Sequence, residues 1–377
     1  MKITKFFALA AFAAFSSSSV AQAADPFVVG IIAPTTGPLT TVGVRQLSAV
    51  QWWEKTTNAA GGIAGRQIQV VHCNDEGSPE KSVACVRDLI AKGSVILLNA
   101  SVTGPIRAAM PLVQNGPVMV TPSPNVVPSA NSYVFQTSPS DVDLTMAIAI
   151  YLKASKVDHL AMLAATDASG EVGVASAATV FPAQGIKYEL ARIDLRANDA
   201  SIQLANTVKP EVKAVYSNYS GGGAAAVVKS YSNLGLTQPL IVSYANVSDA
   251  FINVIKNDMP KRLLGSGLKA VAPQMLDDAS RRKHVEDFMA SYKEMTKDNV
   301  DMLTLLGLTL ADTADAVLKN VKNPSDPAAV RTYLETTPIP SVQMLHWSKD
   351  RHVGMTADDI SILEYKSGKW VKADPVQ

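Results

Sequence analysis

The sequence predicts an α/β chain built as two doubly wound lobes, joined by a hinge that the chain crosses several times. Three observations carry this. Apolar runs alternate with amphipathic stretches from residue 27 onward, the rhythm breaks near residue 132 and restarts, and 377 residues suffice for two domains of ordinary size. Alternating strands and helices mean βαβ units, parallel sheets and right-handed crossovers.

FVVGIIA reads as a buried strand, since parallel strands covered on both faces are continuous apolar runs. The loop PTTGPLTTVG leads to RQLSAVQWWEKTTNA at helical spacing. A turn, AAGGIAGR, precedes strand RQIQVVH, and SPEKSVACVRDLIAKG is a helix opened by Ser78 and Pro79. SVILLNA, helix VTGPIRAAMPLVQN and GPVMVTP complete the first run, and SYVFQTSPSD reads as a crossing. The second run pairs HLAMLAA, IKYELARID, AVYSNYS and QPLIVSYAN with helices VDLTMAIAIYLKAS, GEVGVASAATVFPAQ, a stretch from Ala200, GGAAAVVKSYSNLG and SDAFINVIKND. KAVAPQM reads as the return crossing. Helices RRKHVEDFMASYKEMTK, MLTLLGLTLADTADAVLKNV and DPAAVRTYLETT follow. The end alternates like antiparallel strands, with Lys366-Ser367-Gly368-Lys369 as a hairpin turn. Crossings are expected at 138–142, 270–275 and 340–346. One lobe then takes residues 24–140 with 273–341, and the other 141–272 with 342–377.

Lys2 and Lys5, the apolar run FFALAAFAAF and Ala21-Gln22-Ala23 describe a secretory signal peptide over residues 1–23, cleaved after Ala23. Its removal takes away two lysines from a chain of formal charge +1, so the mature chain stays close to neutral. A nucleic-acid partner, which demands a basic excess, is not expected. In an exported chain, Cys73 at a strand end and Cys85 in the next helix favour a disulfide over two buried thiols. The five histidines are scattered, so no metal site is expected, nor any cofactor.

Ligands in open α/β sheets sit beyond the carboxyl ends of the strands. That rule selects the loops Pro34–Val42, Ala100–Gly104, Thr121–Asn125 and Ser217–Gly223, rich in Ser, Thr, Asn, Gly and Pro. Ser101 and Thr103 end one strand just before Gly104 and Pro105 open a helix, where an anion such as a carboxylate is favoured. Ser123 and Asn125 follow from the neighbouring strand. Taken singly each of these residues is as well read as a cap; together they favour a site. Catalysis has less support: there is no G-x-S-x-G elbow, H-E-x-x-H or phosphate-binding loop. Asp75 and Glu76 read as a solvated turn, GGG at 221–223 as a close approach of a helix to a strand or ligand, and the tryptophans as packing.

FVVGIIAPTTGPLTTVG resembles the first strand and S/T-G-P loop of the type I periplasmic binding proteins, in particular the leucine/isoleucine/valine-binding branch that serves ABC importers. AAGGIAGRQIQVVHCNDEGSPEKSVACVRDLI is similar to the branch's N-x-x-GGI-x-G segment with its acidic strand end, and GPVMVTPS to its T-P-[AS] turn. The likeness runs over essentially the whole mature chain and is strongest in residues 27–125. It implies the type I periplasmic binding fold and a monomeric, periplasmic, non-enzymatic protein. Such a protein closes on a small molecule and delivers it to a membrane permease, or alternatively presents it to a membrane receptor as a sensor. It also implies that Ala100, Ser101, Val102, Thr103, Ser123 and Asn125 hold a ligand carboxylate. Tyr219 supplies an aromatic face from the second lobe, with Tyr244 and Asn246 in the loop where amino-acid binders carry an acid for the ammonium group. That loop reads SYANVSD, with no carboxylate before Asp249, and Val102 stands where a serine is common. The ligand class therefore stays open between a branched-chain or other amino acid, with Asp167 or Asp249 supplying the charge, and an aromatic or aliphatic carboxylate or an amide that lacks the ammonium group.

Overall fold

In a computed structural model describing residues 25–375 apart from Pro38, Leu195 and Gly221, strand and helix alternate from the first apolar run onward. The expected signal peptide lies outside the described residues. The first unit comprises β1 (Phe27–Ile32), α1 (Thr40–Ala59), β2 (Ile68–Cys73), α2 (Pro79–Ala91), β3 (Ile96–Asn99), α3 (Thr103–Ala109), β4 (Val118–Thr121) and β5 (Val134–Gln136). Its strands run parallel in the order β2-β1-β3-β4-β5. Every residue of β3 and β4 is buried, as a sheet covered on both faces requires. Ser78 caps α2 by accepting the Lys81 N–H at 3.3 Å, with Pro79 behind it. Cys73 and Cys85 are joined in a disulfide, their Cα atoms 5.6 Å apart.

SYVFQTSPSD is more than a crossing. Its residues 134–136 are the buried fifth strand, and the chain crosses only after Gln136. The second unit then runs α4 (Asp141–Ala154), β6 (His159–Ala165), α5 (Ala168–Ala183), β7 (Lys187–Ile193), α6 (Ser201–Thr207), β8 (Ala214–Asn218), α7 (Gly222–Asn233), β9 (Leu240–Val242), α8 (Asp249–Ile255) and β10 (Leu263–Leu268). Next come α9 (Ala279–Thr296), α10 (Met302–Asn320), α11 (Pro327–Thr336), the short pair β11 (Ile339–Pro340) and β12 (Met344–Leu345), and the hairpin β13 (Ile360–Lys366) and β14 (Lys369–Lys372). The second sheet has the order β14-β13-β10-β9-β8-β6-β7, with β13 and β14 antiparallel. Ser367 and Gly368, at φ +50° and +81°, make the hairpin turn that matches strand twist.

Two features complete the first unit from the later part of the chain. α10 is buried on nearly all sides, and Gly307 lets it lie against α1: a Cβ there would come within 2.6 Å of the Gln46 carbonyl oxygen. The chain from 344 to 355 lies along β5, against the boundary expected at residue 342. The reason is a cluster of contacts at that edge. Trp347 Nε1 donates to the Gln136 carbonyl at 2.8 Å, the Gly354 N–H donates to the same oxygen at 2.8 Å, and His352 stacks on Phe135 with ring centroids 4.0 Å apart. The last passage to the second sheet therefore follows Gly354, not the expected 340–346. The chain also passes between the two sheets at 137–140 and in the 3-10 turns between β10 and α9.

Candidate functional site

A cleft opens where the carboxyl ends of both sheets face each other. From the first unit it is lined by Leu39, Val42 and Gln46 of the β1–α1 loop and α1, Ser101 to Thr103 after β3, and Pro122, Ser123 and Asn125 after β4. Across from these stand Asp141 and Leu144 of α4, Asp167, Ser169 and Gly170 around the start of α5, Tyr216 and Asn218 of β8 with Tyr219 and Ser220 just after it, and Ser243 to Ala245 after β9. Leu303 and Leu306 of α10 close one side. The walls already touch: Thr103 Oγ1 lies 3.0 Å from Ser169 Oγ of the opposite unit and 3.4 Å from Ser123 Oγ of its own.

The first wall is a row of small hydroxyls. Parallel strands end in register, so the residues following β3 and β4 arrive side by side. α3 is only seven residues long, which leaves the Ser101–Thr103 hydroxyls, not its dipole, as the prominent polar feature. Behind Ser101 lies Asp75, which is buried, not part of a solvated turn as expected. It accepts the Gly77 N–H at 3.1 Å, and burial raises its carboxyl while the Ser101 and Ser82 hydroxyls hold it partly down. Its neighbour Glu76 is the exposed member and pairs with Lys81 at 2.7 Å.

The second wall is aromatic and acidic. Tyr219 is buried and its hydroxyl donates to the Asp194 carbonyl, so it presents a ring, not a hydroxyl, to the cleft. Gly223 makes room for that ring: a Cβ there would stand 1.7 Å from Tyr219 Cε1. Gly223 thus permits a close approach of α7 to the ring. Burial raises the hydroxyls of Tyr244, Tyr216 and Tyr219, so all three remain neutral phenols. Asp167 caps α5 by accepting the Gly170 N–H at 2.8 Å. Asp141 opens α4 just after the capping box of Ser140 and Asp143. It is 6% exposed, and burial lifts its carboxyl to about 6, against the opposing hydroxyls of Ser176 and Thr145.

The family model described as "Periplasmic binding protein" matches residues 26–369. The chain is a periplasmic binding protein. It lies on the type I, Leu/Ile/Val-binding-like branch. "Leu/Ile/Val-binding protein homolog 3" of Brucella melitensis is 29% identical over 185 residues, 47% of this chain and 48% of that protein. The "Leucine-, isoleucine-, valine-, threonine-, and alanine-binding protein" of Pseudomonas aeruginosa is 26% identical over 36% of this chain and 37% of its own. The match thus spans half or less of these curated relatives. An extracellular ligand-binding receptor from Rhodopseudomonas palustris HaA2 superposes over 93% of this chain and all of its own at a TM-score of 0.82 and 17% identity. A solute-binding protein from R. palustris in complex with benzoate superposes at 0.77 over 92% of this chain and 95% of its own, at 20% identity, which shows the shared fold.

In this periplasmic binding protein, Ser101, Val102, Thr103, Ser123, Asn125, Tyr219 and Tyr244 of the expected residues line the cleft. Ala100 and Asn246 do not. Ala100 is wholly buried at the end of β3, and Asn246 Nδ2 holds the Tyr219 carbonyl at 2.7 Å, which steadies the loop that carries the ring. Of the two alternative acids, Asp167 lines the cleft; Asp249 lies outside it and accepts from Asn299 Nδ2 at 3.0 Å. Asp141, Asn218 and Gln46 were not anticipated. Asp141 reads in sequence as an ordinary helix-opening acid, and nothing in SPSDVD tells which carboxylate turns inward.

One Ser–Asp–His grouping exists away from the cleft. Ser341 Oγ donates to Asp312 Oδ2 at 2.6 Å, and His284 Nε2 meets the same oxygen at 3.1 Å. With the aspartate between the other two, the imidazole has no route to the serine proton, so the grouping lacks nucleophile activation.

No helix among the described residues is long and apolar enough to cross a membrane.

Proposed function

We propose that this protein is the periplasmic solute-binding component of an ABC importer, closing two lobes around one small carboxylate-bearing molecule. The observation that carries the reading is the cleft itself. It lies at the strand ends of two parallel sheets, with hydroxyls on one wall, aromatic rings on the other, and the Thr103–Ser169 contact bridging them. The first lobe comprises residues 24–140 with the helices and the strap through 355; the second comprises residues 141–272 with the C-terminal hairpin. The chain is exported by a signal peptide over residues 1–23, works as a monomer and hands the closed form to a membrane permease. Closure is a hinge rotation about the passages at 137–140, 269–275 and beyond 354. Removing water from the cleft strengthens each polar contact, which gives affinity and marks the loaded state.

The test is a thermal-shift screen of the mature protein, refolded to remove carried-over solute, against amino acids and aliphatic and aromatic acids. A solute binding only the folded state adds about 2.7 kcal/mol at a hundredfold excess over Kd. Ligand-dependent stabilisation that disappears when Ser123 and Tyr219 are both truncated supports the site. Unchanged binding in that double variant rejects it.

A further inference from the structure

We infer that Gln46 is a specificity-determining residue of the cleft, binding an uncharged hydroxyl or amide at the end of the ligand remote from its carboxylate. The inference rests on the solute-binding reading above and names the ligand class within it. That class is an acid with a neutral polar group at its far end, not one that ends in plain hydrocarbon.

Leu39, Val42 and Gln46 stand at i, i+3 and i+7, one face of α1 with its N-cap, and all three line the cleft. α10 packs along α1, with Gly307 against the Gln46 backbone, which brings Leu303 and Leu306 to the same end. Of these five residues only Gln46 has a polar side chain. It is 2% exposed, and its Oε1 has no hydrogen-bond partner. A buried glutamine with a structural task is bonded throughout. Gln136 donates through Nε2 to the Ser138 and Pro139 carbonyls at 3.1 and 2.9 Å and accepts the Val127 N–H at 3.0 Å. An amide oxygen buried without a donor is costly unless a partner arrives. At the edge of a ligand cleft, the arriving partner is the ligand.

Oε1 accepts, so the ligand must present an O–H or N–H to it. The donor is uncharged, because Leu39, Val42, Leu303 and Leu306 offer no counter-charge to a desolvated cation. It also belongs to the far end of the ligand. α1 and α10 cover one face of the first sheet, while α2 and α3 cover the other. The Ser101–Thr103 hydroxyls stand where β3 passes into α3, so they and Gln46 reach the cleft from opposite faces of that sheet. A carboxylate held by the hydroxyls leaves the rest of the molecule to extend toward Gln46.

The experiment titrates refolded wild-type protein and Gln46→Leu with matched pairs: benzoate and 4-hydroxybenzoate, 3-phenylpropanoate and 3-(4-hydroxyphenyl)propanoate, phenylalanine and tyrosine, leucine and asparagine. In each pair the first member ends in hydrocarbon and the second in a hydroxyl or amide. The expected result is that wild type binds the polar member of at least one pair about tenfold or more tighter than its partner. Gln46→Leu should erase or reverse that preference. The empty variant should melt no lower than wild type, because Oε1 gives up no bond to the protein. Wild-type binding that is equal within pairs or favours the hydrocarbon members overturns the inference and leaves the solute-binding reading standing. So does a polar preference that survives in Gln46→Leu. A Gln46→Leu chain that melts lower or does not fold overturns it too, by making the amide structural. Silence from both members of every pair overturns the inference and the carboxylate reading together.

Discussion

The two walls of the cleft are built by different means. The first, Ser101 to Thr103 with Ser123 and Asn125, comes wholly from the ends of adjacent parallel strands and is made of hydroxyls and an amide. The second gathers rings from the β8 and β9 loops, but its acids come from the openings of two helices, α4 and α5. Strand-end loops obey a topological rule that holds whatever their residues. A helix-opening acid can face solvent, cap its helix or turn into a cleft, and only packing decides. The first wall is thus set by topology and the second by tertiary detail, and each can be perturbed separately.

The harshest way to break the second wall is Gly223→Ala. The new Cβ has no space beside a Tyr219 ring anchored through Asp194, so the ring or α7 must move. Overpacking should cost about 3 kcal/mol and abolish ligand-induced stabilisation, read by denaturant melts with and without solute. The first wall has its own brace in the disulfide that pins α2 to β2. Cys85→Ser opens a loop spanning 12 residues and should cost about 3 kcal/mol, leaving the second wall unaffected. A urea series on the variant against oxidised wild type checks this.

Asp141→Asn should act in the opposite sense on the empty protein. Burial raises this carboxyl from 3.8 to about 6, so the folded chain holds the proton more tightly than the unfolded one. The stability linked to it is complete below roughly pH 4 and is lost as pH rises through the folded value. At pH 7 the amide should therefore unfold later than wild type, by up to about 3 kcal/mol, and the two should converge near pH 4. Calorimetric melts across that range test it, and identical pH profiles would reject the assignment. The smallest effect belongs to the contact between the walls. Thr103→Val removes the hydroxyl facing Ser169 and should weaken closure by about 1 kcal/mol, seen as a modest loss of affinity without a change in the empty protein's melting.

The same contrast governs how much was legible in sequence. Parallel runs such as ILLN and VMVT announce themselves because both faces are buried. β10 does not, since Gly265, Ser266 and Gly267 interrupt the apolar signal that Leu263, Leu264 and Leu268 begin. β5 is three residues long and hides inside a segment that also crosses. Of the nine expected ligand residues, two lie outside the cleft lining for a shared reason. A residue at a strand end can point into the sheet, as Ala100 does, or hold a loop, as Asn246 does, and spacing alone does not separate these from a residue facing outward. The last passage between lobes was misplaced because Trp347, His352 and Gly354 make their contacts with residues more than two hundred positions earlier.

Trp347 has one more consequence. Its indole is buried where the strap meets the last residue of β5, immediately before the first passage between lobes, walled by Phe135 and by Gly354. Such a fluorophore is a native optical gauge of the hinge. Its emission should follow lobe rotation in a stopped-flow trace without any attached dye, and Trp347→Phe should silence the signal while solute still binds.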